Sequence, residues 1–117
     1  MTTDDVENTL KSFMKHFGAL NRDIPDVRNA FTDLQKSVHQ DGALSAKVKE
    51  MMCIVASILK PCEKCMVFHT KQALGLGATR DEIMEAASVA IVMGGGPAVS
   101  HIATIQDCLE AWAPRKK

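Results

Sequence analysis

Nine consecutive residues, Met51–Leu59, carry no charge, and Lys60-Pro61 close the run. A helix apolar nearly all round has no face to give to water, so it belongs in a core or in a subunit interface. This stretch therefore fixes a helical segment around which the rest of the chain must be arranged. Glu50 stands at its front edge. Pro61 fits badly inside a helix but well near the start of one, so a new helix is expected to take its first turn at Pro61–Cys62. From that start Cys62, Cys65 and His69 fall at i, i+3 and i+7 and share one helical face.

The remaining elements follow from periodicity and punctuation. Asp4 with Glu7 opens a first helix carrying Val6, Leu10, Phe13, Met14 and Phe17, with Gly18 as the expected stop. Pro25-Asp26 opens a second, with Val27, Ala30, Phe31, Leu34 and Val38 as its inner face and Asp41-Gly42 as its end. Ser45 caps the third helix, and the fourth runs from about Pro61 to Leu74, stopped by Gly75 and Gly77. Thr79 and Glu82 make a capping box for a fifth, whose buried stripe is Ile83, Ala86, Ala87, Ala90 and Ile91. Gly94-Gly95-Gly96 breaks that helix. Pro97 starts a sixth, with Val99, Ile102, Ala103 and Leu109 inward and a frayed tail at Pro114–Lys117. No segment alternates with period two for long enough to make a strand. The expectation is an all-α bundle of about six helices in a single domain spanning residues 1–117.

Several function classes lose support at once. Fourteen basic and fourteen acidic residues balance to a formal charge of zero, so a nucleic-acid partner has little electrostatic basis. The acidic N-terminus does not read as a signal peptide, and the longest apolar run is too short for a bilayer. A soluble cytoplasmic protein is expected, where most cysteines stay reduced. There a Cys-x-x-Cys pair points to catalysis or metal binding rather than to a structural staple.

The chemistry concentrates at Glu50, Cys62, Cys65 and His69. A thiolate is the nucleophilic form of cysteine, and a helix N-terminus or a nearby proton acceptor favours it. Cys62 sits where the helix dipole acts most strongly. Cys65 is one turn deeper, four residues before His69, which can accept a proton. Two cysteines three apart can also close a disulfide. Glu50, beside an apolar wall, should have its neutral form favoured by desolvation, whereas in a first helical turn after Lys47 and Lys49 it would be an ordinary solvated charge. The same four residues could instead hold zinc, although no second ligand pair of zinc-like spacing follows. His16 and His39 lie in polar surroundings near helix ends and receive no role. His101 is read as packing, and Cys53 and Cys108 as small hydrophobes. Gly94-Gly95-Gly96-Pro97 lacks the strand and spacing of a phosphate cradle.

The ordered set Glu50-x11-Cys62-x2-Cys65-x3-His69 resembles the signature of the AhpD-like family, also called the carboxymuconolactone decarboxylase family, from about the second helix through the Gly-Gly-Gly-Pro break. The resemblance implies an AhpD-like helical bundle assembling into homo-trimers or homo-hexamers, with no cofactor. It implies a thiol-dependent peroxide reductase that takes a hydroperoxide substrate and is restored by an external dithiol, by precedent a dihydrolipoyl protein. Carried over by position, Cys65 attacks the peroxide, Cys62 resolves the sulfenic acid, and Glu50 and His69 relay protons. The helix dipole alone would choose Cys62 as the nucleophile. One position departs from the pattern: Lys64 stands where peroxidase members carry a second relay histidine. Two other functions stay open beside this one, a decarboxylase-like activity on a small acid or lactone and a zinc-binding assembly module.

Overall fold

The computed structural model describes residues 1–116, and among them there is no strand. Five helices follow in order: α1 (Thr3–Asp23), α2 (Pro25–Val38), α3 (Ala46–Leu59), α4 (Glu63–Gly75) and α5 (Arg80–Trp112). The all-α expectation holds, with one helix fewer than six. The missing helix is the far arm of α5. Gly95 interrupts it with φ 62° and ψ −143°, and Pro97 then sits in the first turn beyond the break, where its missing N–H costs nothing. Of the expected frayed tail, Pro114–Lys116 continue without helix and Lys117 lies outside the described residues.

Three helices build the centre. α3 packs on α4 and α5, and α4 on α5, around Ile54, Ile58, Met66, Ile83, Ile105 and Leu109. Burying each of these branched or long side chains contributes about 1.5–3 kcal/mol. α1 closes one end: Val6 meets Val67 and Cys108 in a smaller cluster, and the Trp112 indole N–H donates to the Glu7 carboxylate at 2.6 Å. The cap signals act as expected. Thr79 accepts from the Glu82 amide while the Glu82 carboxylate accepts from the Thr79 amide, and these bonds with Lys47 hold the Glu82 carboxyl below its ordinary range.

Four local expectations are corrected. α1 does not stop at Gly18 but runs on to Asp23. One helical glycine costs only about 1 kcal/mol, and the stop comes from Pro25 instead. The stripe of α2 does not face inward. None of its residues is buried, and Val27 and Leu34 are 63% and 58% exposed. On α5, Ile91, Val99 and Ala103 point outward, while Ala98, Ile105 and Cys108 join the core. Finally, α5 is long and apolar enough, by length and composition, to cross a membrane, contrary to the expectation that no run would be. The break at Gly95 leaves two arms of at most about 25 Å at 1.5 Å per residue, each shorter than a hydrocarbon core of ~30 Å.

The glycine run serves two purposes. A Cβ at Gly94 would come within 2.9 Å of both Ala98 Cβ and Leu59 Cδ2, so a glycine is what lets α5 approach α3 there. Gly95 has open space but a positive φ that L-residues avoid. Gly95→Ala is expected to lower stability by about 1–3 kcal/mol through backbone strain alone, read as a shift of the urea midpoint with an unchanged slope. An unshifted midpoint would show that the break relaxes without cost.

Candidate active site

The site lies where the end of α3 meets the start of α4. Leu59 is the last helical residue of α3, Lys60 and Pro61 form the turn, and Cys62 is the N-cap of α4. The helix therefore begins two residues later than its proline suggests. Cys62 accordingly precedes the helix and does not share a helical face with Cys65 and His69. Its sulfur accepts from the Cys65 backbone N–H at 3.2 Å, as an N-cap serine oxygen would. Cys62 and Cys65, with Cα atoms 5.2 Å apart, are joined as a disulfide. Sulfurs bonded to each other do not ligate a metal as thiolates, so the zinc set of Glu50, Cys62, Cys65 and His69 is not assembled in this oxidised form.

Glu50 is buried, with 7% of its surface exposed. It is not the solvated first-turn charge that its neighbours Lys47 and Lys49 suggested. Two imidazoles take its two oxygens. His69 Nδ1 lies 2.6 Å from Oε2, and His39 Nε2 lies 3.3 Å from Oε1. Carboxylate contact at Nδ1 places the His69 proton there and leaves Nε2 as the basic atom. His39 is oriented from its other side, since only a proton on Nδ1 can satisfy the 3.0 Å contact with the Gln35 carbonyl oxygen. The two rings stack at 6.5 Å between centroids, and Phe68 meets His69 edge-on at 5.2 Å.

His39 is the residue that sequence reasoning set aside. It lies just past the end of α2, eleven positions before Glu50, and only the return of the chain through the Asp41–Ser45 loop brings it to the site. Cys53 is also misjudged as a bystander. Its sulfur is 3.5 Å from His39 Nε2, and burial, reinforced by the Glu50 charge, pushes its thiol above the ordinary range. His16 and Cys108 stay apart from the site. The first bonds the Ser12 carbonyl, and the second is buried under α1 with its thiol pushed up to about 12, chiefly by desolvation. His101 lines a separate small cavity with Gly94 and Pro97.

Cys53, Ala56, Ser57, Lys60, Pro61, Cys62, Cys65 and His69 together line an open cavity of about 440 Å³. The disulfide and the His69 ring thus share one solvent-reachable wall, with Glu50 behind the imidazole. A carboxylate that orients an imidazole lining the same cavity as the sulfurs is an arrangement suited to moving protons to and from a nucleophile.

An all-helical bundle with a disulfide at a helix N-cap and a buried Glu-His pair beside it defines a class of thiol-bearing α proteins. The chain belongs to the carboxymuconolactone decarboxylase family, whose model matches residues 25–107, and its fold is the AhpD-like one. Among its relatives, an uncharacterised protein of Cupriavidus necator is 38% identical over 99 residues, 85% of this chain and 88% of that protein. A protein encoded in the cox locus of Paracoccus denitrificans is 36% identical over 84 residues, 72% of this chain and 76% of the other. A crystal structure of a family protein from Legionella pneumophila superposes with a TM-score of 0.87 at 28% identity, covering 92% of this chain and 97% of that one. A family protein from Thermotoga maritima, for which a role in the antioxidative response is suggested, gives 0.76 at 28% identity, covering 88% and 87%.

The four cysteines should differ sharply in reactivity. With the disulfide intact, a brief pulse of iodoacetamide at neutral pH should leave Cys108 unmodified and label Cys53 slowly, because both thiols are held above their ordinary range. After mild reduction, Cys62 and Cys65 should dominate the peptide map. Rapid labelling of Cys108 in the folded protein would contradict its burial.

Proposed function

We propose that this protein is a thiol-dependent peroxide reductase that cycles between a Cys62–Cys65 dithiol and the disulfide. The observation that carries the reading is the disulfide on the cavity wall, next to an imidazole backed by a buried carboxylate. In the first step the Cys65 thiolate attacks one peroxide oxygen. The O–O bond breaks, Cys65 becomes a sulfenic acid, and the departing alkoxide takes a proton delivered through His69. In the second step the Cys62 sulfur displaces the hydroxyl of the sulfenic acid, which leaves as water, and the S–S bond forms. An external dithiol then exchanges with the disulfide and is oxidised in its place, restoring both thiols. The sum is hydroperoxide plus dithiol giving alcohol, water and disulfide.

Each residue has a reason for its place in this scheme. Cys65 lies one helical turn before His69, close to the group that takes and returns protons. Cys62 at the N-cap accepts the Cys65 amide, a bond that strengthens when Cys62 is a thiolate. That favours its departure when the external dithiol attacks Cys65, and its readiness to resolve. Lys64 replaces the second relay histidine of the family pattern, and we assign that place to His39, which reaches Glu50 from just past the end of α2. The antioxidative role suggested for the Thermotoga maritima relative points the same way. A reducing, cytoplasmic setting would supply the dithiol, a dihydrolipoyl protein being the family precedent. A decarboxylase acting on a small acid or lactone would not need the sulfurs.

Turnover of an organic hydroperoxide with a dithiol reductant tests the scheme. Cys65→Ser should abolish it. Cys62→Ser should stop after one equivalent, leaving a sulfenic acid detectable by dimedone. Glu50→Gln should lower kcat/KM by about 10²–10⁴-fold, the range of a lost proton-transfer group. Undiminished activity in Cys65→Ser would end the proposal and favour the decarboxylase reading.

We also propose that the chain works as a homo-oligomer, a trimer or hexamer. The support is the exposed apolar surface. α2 shows Val27, Phe31, Leu34 and Val38, and α5 shows Val89, Val92 and Met93, with Val92 83% exposed. Between α3 and α5 an apolar hollow of about 440 Å³ is lined by Met52, Val55, Leu59 and Val89. A monomer rarely leaves such patches uncovered. Sedimentation at micromolar concentration should give a multiple of the 12.7 kDa chain mass, and Val92→Glu should reduce it. A monomeric wild type would refute the assembly.

A further inference from the structure

Beside the cavity that the disulfide lines, three metal-ligating atoms of three different kinds converge. They are the imidazole Nε2 of His39, the carboxylate Oε1 of Glu50 and the thiol sulfur of Cys53, all within 4.8 Å of one another. We propose that they form a binding site for a borderline-soft divalent cation, Zn²⁺ first among them, with a fourth ligand drawn from the cavity that Cys53 lines.

The separations carry the argument. With zinc bonded to nitrogen and oxygen at about 2.0–2.2 Å and to sulfur at about 2.3 Å, tetrahedral angles place nitrogen and oxygen roughly 3.4 Å apart and nitrogen and sulfur roughly 3.6 Å apart. His39 Nε2 lies 3.3 Å from Glu50 Oε1 and 3.5 Å from Cys53 Sγ. Two edges of the tetrahedron are therefore already at length. His39 is also prepared as a ligand, because the Gln35 carbonyl accepts from Nδ1 and turns the lone pair of Nε2 toward the other two. Metal-binding histidines are commonly oriented by such a second contact. Glu50 and Cys53 sit at i and i+3 on α3, so a rigid helix sets their spacing.

The local charge also suits a cation. An imidazole nitrogen, a carboxylate and a thiol sulfur meet, and a bound cation would displace the proton of the Cys53 thiol. Lys49, next to Glu50, is committed elsewhere, its ammonium donating to the Val38 and Gln40 carbonyls at 2.8 and 2.6 Å. One nitrogen, one oxygen and one sulfur suit zinc better than magnesium or calcium, which take oxygen ligands. The set is distinct from the four residues of the Glu-x11-Cys-x2-Cys-x3-His pattern and shares only Glu50 with them. Occupation would tie up that carboxylate and suppress the thiol cycle. This consequence rests on the peroxide-reductase reading, whereas binding itself does not.

The test uses the full chain with the Cys62–Cys65 disulfide kept oxidised, so neither of those sulfurs can ligate and no peroxide chemistry enters. Titration with zinc sulfate in a calorimeter should show one ion per chain. Cys53→Ser and His39→Ala should each weaken binding at least about tenfold, while Cys108→Ser should leave it unchanged. Cobalt(II) gives a readout that needs no variant. Wild-type protein should develop the intense visible bands of a tetrahedral ion and a thiolate-to-cobalt charge-transfer band in the near ultraviolet. A spectrum remaining that of hydrated octahedral cobalt, or zinc affinity unaltered in both site variants, would overturn the assignment. Saturable zinc binding, together with no peroxide turnover by the reduced, metal-free protein, would uphold the site and count against the enzymatic reading.

Discussion

A carboxylate removed from water is the constraint around which this molecule is arranged. An unpaired buried charge costs several kcal/mol, so a residue such as Glu50 persists only when each oxygen finds a partner. Here His69 on α4 donates to one oxygen. The His39 ring, just past α2, lies against the other and donates to it whenever Nε2 carries a proton, whose place a bound cation would take. The pairing is also an architectural tie. α2 packs on α1 alone among the described helices, held there by contacts such as Phe17 against Phe31 and Arg28 over the Phe17 ring. The far end of α2 reaches the rest of the fold through polar contacts, the His39 ring against Glu50 and the Lys49 ammonium on the Val38 and Gln40 carbonyls. The proton-handling group and the anchorage of α2 are thus the same few atoms.

The sulfurs depend on that arrangement in a second way. Cys62 gains its position by capping α4, and a cap with the reach of a sulfur needs the turn that Lys60 and Pro61 supply. Had the helix begun at Pro61, Cys62 would have been a helical side chain with no amide to accept. Placing the cysteine at the N-cap brings both sulfurs to the cavity side and turns one toward a backbone N–H. The same placement sets His69 a turn beyond Cys65, where the buried carboxylate can orient it. Local chain geometry and long-range pairing therefore converge on a single wall.

Much of this could be read from the residues in order, and the exceptions share a cause. Glu50, Cys65 and His69 were legible because they lie on two consecutive helices, where spacing reports direction, and Cys62 because it caps the second of them. His39 was not, since nothing local distinguishes it from His16. Its contact with Glu50 depends on how the Asp41–Ser45 loop returns, which is tertiary information. Cys53 was passed over because a cysteine in an apolar run is ordinarily a small hydrophobe, and only the arrival of His39 changes its company. The helix count differs by one at Gly95 for a different reason. The expected break is present there as a kink, with Gly95 at φ 62°, but it lies within one continuous element and leaves no gap between two helices. Periodicity likewise showed that α2 has an apolar face without revealing what would cover it.

The uncharged run of α3, which first marked it as central, has a specific explanation in the structure. Ile54 and Ile58 enter the core, while Cys53 and Ser57 turn toward the cavity with Glu50 at its back. Val48, Met52, Val55 and Leu59 line the apolar hollow against α5. From Met51 onward no side of the helix remains for charged residues, so Met51–Leu59 reads as uniformly apolar although its sides perform different tasks. If the third side is covered by a second copy of the chain, as proposed, assembly would bear on the helix that carries Glu50 and Cys53. A close-packed interior has low compressibility and transmits strain, so a displaced helix carries its neighbours with it. The oligomer would then fix the carboxylate relative to the sulfurs of α4, and a loosened interface would be felt at the site without any contact between the two.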